Sequence, residues 1–337
     1  MIDLLVAGGG PAGLATAIHA ALAGLEVVVA EPRPAPIDKA CGEGLMPGGV
    51  RALAGLGVTV EGRPIHGISY LDERHRADAA FRHGPALGVR RTALHRALAQ
   101  RAAELGVPVL PVRVDDLGQD ADGVTAAGLS ARYLAAADGL HSPLRRRLGL
   151  ELPDPRTARY GLRRHYAVEP WADHVEVHWT AGAEAYVTPL GPGLLGVAVL
   201  TAARAPFEEH LARFPALARR LPARAATAVR GAGPLRQRVR SRVAGRVLLV
   251  GDAAGYIDAL TGEGLSLALA GAAQLVHCVR TDRPQEYERR WRRVSRRHRL
   301  LTDGLLWLRS CPPLAGRIVP AAARLPRTFT ALVNQLG

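Results

Sequence analysis

Apolar positions follow two different rhythms along this chain. Ile2 to Ala7 is an almost unbroken apolar run, the pattern of a strand buried on both faces. The rhythm then turns helical, with Leu14, Ile18, Ala21, Leu22 and Leu25 on one face and Gly24 as a stop. Glu26 to Ala30 forms a second apolar run, which completes a strand–helix–strand unit. Further helices are predicted over Pro47–Leu56 and Thr92–Leu105, closed by Gly57 and Gly106. Strands are predicted over Val107–Val112 and Arg246–Val250. Alternation replaces these patterns in Ile65–Phe81 and Tyr160–Leu200, where "HVEVHW" is the clearest case. Pro189, Gly191, Pro192 and Gly193 mark a hairpin-like turn there. The alternating stretches predict one antiparallel sheet, interleaved in sequence with the α/β part, and residues 281–337 predict helices.

The turns between these elements carry the candidate chemistry. Gly8, Gly10 and Gly13 form G-x-G-x-x-G directly after the first strand. The first glycine permits the tight turn, the second lets backbone approach a pyrophosphate, and the third lets helix pack closely on strand. Pro11 suits the first helical turn. Glu31 ends the second strand, where a carboxylate can accept hydrogen bonds from ribose hydroxyls. The spacing predicts a dinucleotide, with FAD and NAD both open at this point.

Two later turns narrow that choice. A strand-like run ends at Asp138-Gly139, and Ser142-Pro143 then reads as a helix N-cap with proline at the first helical position. A second run ends at Gly251-Asp252, and the loop Thr261–Gly264 opens a long helix. Asp252 can bind hydroxyls of a ribityl chain. A helix start near Gly264 directs free N–H groups at the charge that a reduced flavin develops.

These residues resemble the FAD-dependent family containing aromatic-hydroxylase-type flavoprotein monooxygenases and geranylgeranyl reductases. The glycine fingerprint, Asp138-Gly139 and Gly251-Asp252 occur in the family's order, and "VRRTALHRAL" resembles its Arg-x-x-Leu segment. The resemblance implies a Rossmann-like FAD-binding α/β domain, a mixed sheet with helices, over 1–60, 86–153 and 243–280. It implies an antiparallel-sheet substrate domain over 61–85 and 154–242, roofing the pocket, and a helical C-terminus over 281–337. The cofactor set it implies starts with Gly8, Gly10, Pro11, Ala12 and Gly13, then Glu31, Pro32 and Arg33. Cys41, Gly42, Arg91, Asp138 and Gly139 follow, with Gly251, Asp252, Gly262, Gly264 and Leu265 last. Within the family, Gly255 stands where monooxygenases carry histidine, and Ala259 where proline is common. "DKACGEGL" is similar to the reductases' Lys-x-Cys-Gly loop.

The first function this implies is an NAD(P)H-driven monooxygenase hydroxylating a lipophilic or aromatic small molecule through a flavin C4a-hydroperoxide. The second is a geranylgeranyl-reductase-like enzyme acting on C–C bonds of a prenyl or polyketide substrate. A third, of another class, is a non-enzymatic FAD-binding interaction protein. Only hydroxylation consumes oxygen in step with product. Cys41, His165 and Tyr186 are the candidate catalytic residues, with Arg163 and Thr188 also expected at the pocket. No second glycine fingerprint is present, so NAD(P)H is expected as a transient reductant.

Composition changes this picture in few places. The formal net charge is +14, with Lys39 as the single lysine among 44 basic residues. Aromatics make up 4%, too few for nucleic-acid stacking platforms, so a nucleic-acid partner is not expected. Cys41, Cys278 and Cys311 are far apart. His174 and His178 sit about 13 Å apart on a strand, so no metal site is expected. The basic stretch Tyr287–Leu308 is expected to be a solvated face, with peripheral membrane contact as the alternative. With no basic leader before Ile2, a cytoplasmic protein is expected. Oligomeric state is not legible.

Overall fold

The computed structural model describes residues 1–335. The last two residues of the expected 281–337 helical segment lie outside the described residues.

The Ile2–Ala7 strand sits at the centre of the first sheet. It pairs in parallel with Leu129–Ala136 on one side and Val27–Ala30 on the other. Val109–Leu110 and Val247–Leu249 extend the parallel set outward. Val243–Ala244 and the Val124–Ala126 hairpin add antiparallel edges, so the sheet is mixed. Pro108 and Pro111 explain why the strand expected over Val107–Val112 is only two residues long: neither proline can donate to a ladder. Helices Pro11–Leu22, Arg91–Glu104 and Gly264–Arg280 pack around this sheet. Leu4, Leu5, Val6, Leu134, Leu248 and Leu275 have no solvent exposure. Parallel strands covered on both faces account for the unbroken apolar runs in the sequence.

The second sheet runs in the order Arg230–Ala232, Tyr160–Tyr166, Leu194–Thr201, Ala183–Gly191, His174–Thr180, Gly67–Leu71, Arg76–Ala80. It departs from the expected all-antiparallel arrangement at one place. Gly67–Leu71 pairs in parallel with His174–Thr180, because it arrives from a distant segment rather than through a hairpin. Pro189 and Gly191 lie inside their strand, at a register shift, and the turn itself is Pro192-Gly193. Val187, Val197 and Val199 face a small cluster under Phe207, Phe214 and Leu217. The opposite cluster contains Met46, Val175, Trp179, Leu200 and Leu235, and is covered by C-terminal Val319, Phe329 and Val333. No helix among the described residues is long and apolar enough to cross a membrane.

The two sheets meet at a three-stranded joint of Gly44–Leu45, Arg63–Ile65 and Ala86–Gly88. Gly88 is pressed against the second sheet, where an added Cβ would lie 1.7 Å from the Pro189 carbonyl oxygen. The blocking atoms are Pro189 backbone, which cannot swing aside as the end of a side chain could. Gly88→Ala is therefore expected to destabilise the fold by about 2–3 kcal/mol, read as a lowered thermal midpoint. An unchanged midpoint would show that the joint is loosely packed.

Candidate active site

A cavity of about 410 Å³ lies between the first sheet's C-terminal strand ends and the second sheet. Three turns form its floor. The first is the Gly8–Gly13 turn, which enters the Pro11–Leu22 helix. Gly8 has φ +111°, and a Cβ on Gly13 would stand 1.8 Å from the Gly8 carbonyl oxygen. Helix and strand approach this closely only because both residues lack side chains. Gly10, Pro11 and Ala12 line the cavity, while Gly8 and Gly13 support them from behind.

The other two turns converge on the first. A Cβ on Gly251, at φ +64°, would sit 2.6 Å from the Ala12 Cβ, so the third turn touches the first helix directly. Asp252 lines the cavity, and burial raises its carboxyl pKa against the pull of Lys39, Arg91 and Arg145. Gly139 also lines the cavity, under the Lys39 ammonium. Asp138 lies behind it. One carboxylate oxygen accepts the Leu144 N–H at 3.0 Å, and the other is buried without a partner. Ser142 caps the following helix by accepting the Arg145 N–H at 2.9 Å. Arg145 itself is fully buried. Its guanidinium donates to the Leu140 carbonyl at 2.9 Å and reaches the carbonyls of Asp252 and Ala253, which locks the second turn to the third. Sequence reasoning passed over it as one of three consecutive arginines.

Glu31, Pro32 and Arg33 lie outside the cavity lining. The Glu31 carboxylate accepts the Gly9 N–H at 2.8 Å and is held by Arg33 through both oxygens. Burial would raise its pKa, but these donors keep it below the usual carboxylate value. Glu31 thus clamps the glycine turn, and a ribose hydroxyl reaches it only by displacing Arg33, whose side chain is half exposed. His95 fixes the same turn from the Arg91–Glu104 helix, donating from Nε2 to the Gly9 carbonyl at 2.9 Å. It too carried no sequence signal.

The cavity's other wall is the loop Asp38–Gly44. Cys41 and Gly42 line it, and no atom lies within 4 Å of a Cβ built on Gly42. Burial pushes the Cys41 thiol pKa up, with Arg91 and Arg163 partly opposing. Its sulfur accepts the Glu43 N–H at 3.4 Å. Glu43 has φ +60°, a left-handed conformation rare for glutamate. Its carboxylate accepts the Arg91 N–H at 2.8 Å and contacts His165 Nε2 at 2.6 Å. Thr188 donates to the Gly42 carbonyl at 2.8 Å. Gly262, Gly264 and Leu265 complete the lining at the start of the Gly264–Arg280 helix.

The candidate catalytic residues separate in space. Cys41 faces the cavity. Tyr186 also lines it, but its hydroxyl donates to the Leu260 carbonyl at 2.8 Å, and burial raises its pKa well above the ordinary value. His165 has no exposure and stays out of the lining, one contact behind it, held by Glu43 and Thr227. Arg163 lines the cavity, donating to Asp38 and to the Lys39 carbonyl. No cluster of metal-ligating side chains occurs among the described residues.

The donor set fits FAD. Gly10 has extended φ and ψ of −70° and 176°, and nothing lies within 4 Å of a Cβ built on it, so space for a phosphate adjoins the helix start. Arg91 and Lys39 line the same end of the cavity as cations, and the Arg91 Nε is buried without a partner. The expected consequence is specific. Gly10→Val should leave the apoprotein's thermal midpoint within about 1 °C, because the backbone angles suit valine, and should weaken FAD binding at least roughly 100-fold by filling that space. Equal FAD affinity in a fluorescence titration would remove Gly10 from the site.

Comparison with known proteins agrees with this geometry. A family model described as "FAD binding domain" matches residues 1–279. A menaquinone reductase from Mycolicibacterium smegmatis is 30% identical, covering 99% of this chain and 91% of its own. A rifampicin monooxygenase from Streptomyces venezuelae is 28% identical over 82% of this chain, which spans 63% of that protein's length. The flavin-dependent brominase Bmp2 shares the fold, with a TM-score of 0.82 at 17% identity over 99% of this chain and 93% of its own. Gly-lined turns of the right shape, open space at the helix start and the family match over most of the chain lead to one statement: this chain belongs to the FAD binding domain family of flavin-dependent oxidoreductases.

Proposed function

We propose that the chain is an FAD-dependent reductase that saturates a carbon–carbon double bond in a lipophilic, prenyl-like substrate, with NAD(P)H as a transient reductant. The observation that carries this reading is Cys41: a thiol on the loop Lys39–Glu43 that lines the cavity together with apolar side chains, its pKa raised by burial. FAD bound on the three turns would supply hydride. The second requirement of such a reduction is a proton for the neighbouring carbon. Cys41 is placed to give it. The thiolate left behind would be met by the Glu43 N–H and by the positive charge of Arg91 and Arg163, so the proton can leave without stranding an anion in an apolar wall.

The rest of the wall suits a substrate without charge. Met46, Leu162, Val175, Leu200 and Leu235 supply its apolar surface. The menaquinone reductase match, running nearly end to end on both chains, supports reduction. Pro11, Ala12, Arg91, Gly139, Asp252 and Gly264 are assigned to the cofactor.

Hydroxylation is the second reading, favoured by the apolar share of the lining and by the monooxygenase match. The two differ in one measurement. With an isoprenoid quinone as substrate, NADPH oxidation should proceed without oxygen, and after reoxidation of the ring the product should keep two extra hydrogens on its prenyl chain. A product gained only with stoichiometric oxygen uptake would establish hydroxylation instead. Cys41→Ser should keep FAD and lower anaerobic turnover by roughly 10²–10⁴-fold, the usual range for a positioned acid. Unchanged turnover in that variant would acquit the thiol.

A further inference from the structure

The Glu286–Ser310 helix presents one continuous exposed stripe: residues 289, 293, 296, 297, 300, 304, 307 and 308, at helical spacing. Its composition changes abruptly along the axis. The first half is arginine, at Arg289, Arg293, Arg296 and Arg297. The second half is Leu300, Gly304, Trp307 and Leu308. Leu300 is 64% exposed and Trp307 61%, unusual values for such side chains. Exposed Leu325, between the Ile318–Arg324 and Pro326–Val333 helices, and Leu332, on the second of them, follow, whereas Met1, Leu22, Val109 and Val112 lie elsewhere in the chain.

Charge surrounds this facet asymmetrically. Residues 286–337 contain eleven arginines against Glu286, Glu288 and Asp303. Those three acids are already engaged, with Arg290, Arg242 and Arg236 respectively. Among the described residues, Arg293, Arg296 and Arg297 have no carboxylate within 4.0 Å. A second copy of the chain is a poor occupant, since the same facet on a partner offers no free carboxylate to meet the unpaired arginines, whichever way round the two helices lie. Nucleic acid would neutralise the arginines but leave Leu300, Trp307 and Leu308 in water.

We propose that this stripe seats the protein on the surface of an anionic lipid bilayer. Leu300, Trp307 and Leu308 enter the headgroup–acyl boundary, and Arg293, Arg296 and Arg297 meet lipid phosphates. Location supports the assignment. The inner side of the same helical layer, through Leu305, Leu306, Val319 and Phe329, joins the apolar cluster shared with Tyr186, Tyr256 and Leu235 of the cavity. The bilayer-facing surface is thus the outer side of the layer that backs the cavity's apolar end. The proposal stands whichever flavin reaction the cavity performs.

The test is co-sedimentation of the full-length, FAD-loaded protein with phosphatidylcholine vesicles, with and without phosphatidylglycerol. The protein should pellet with the anionic vesicles and be released by salt. L300S/W307S/L308S and R293E/R296E/R297E should each weaken binding by roughly tenfold or more. Tryptophan emission should shift to the blue on binding, and W307F should abolish that shift, since Trp179 and Trp291 are buried and Trp171 is held under Arg220 on the other cluster of the second sheet. Both triple variants should keep wild-type turnover on detergent-dispersed substrate. Equal binding to both vesicle types, binding unaltered by either triple variant, or no vesicle binding at all would each overturn the proposal. So would a concentration-dependent dimer that L300S/W307S/L308S abolishes, because it would assign the facet to a second copy.

Discussion

The whole site depends on a steric constraint: three turns from distant parts of the chain meet at distances that exclude side chains. Gly13 packs where a Cβ would stand 1.8 Å from the Gly8 oxygen, and Gly251 where it would stand 2.6 Å from the Ala12 Cβ. Those contacts aim the N-terminus of the Pro11–Leu22 helix into the cavity. They also place the Gly251-Asp252 turn beside that helix start. The parallel sheet supplies the register. Ala7 pairs with Ala136 and with Ala30, so the turns that follow these strands emerge at one level. Small residues at the strand ends let the turns converge.

Buried charges then hold what the glycines allow. Arg145 joins the second turn to the third through backbone carbonyls. Glu43 joins the two sheets' layers, bonding the first N–H of the Arg91–Glu104 helix and His165 of the second sheet. Arg159 binds Asp258 of the cavity-end loop and Glu184 of the sheet, and Arg309 closes on Glu184 from the C-terminal helix. Paired in this way, such groups are costly to break singly, because the remaining partner is left buried and charged. Their contribution is therefore to alignment of the two sheets more than to net stability.

The parts of this arrangement legible in the sequence are those with a local pattern. The Ile2–Ala7 run, the glycine spacing, the Ser142-Pro143 cap and the alternation of His174–Trp179 each depend on neighbours in the chain. The illegible parts are contacts across long sequence distances. His95 and Arg145 look like ordinary helix residues until the fold brings Gly9 and Ala253 to them. Glu31 matched the ribose pattern, yet its carboxylate grips Gly9 and Arg33. His165 sits at an alternating position that the sequence could not assign to the cavity face or to the layer behind it, and the structure assigns it to the layer behind. The parallel pairing of Gly67–Leu71 was hidden for a similar reason, since no turn connects it to its partner.

The account's central claim is that these turns enclose a single flavin nucleotide. The absorbance spectrum of the purified protein, with flavin released by denaturation and counted against protein, tests it most directly. One equivalent of FAD per chain, with visible bands altered from those of free flavin, is the predicted result. A folded, colourless protein that takes up no added FAD would contradict the account.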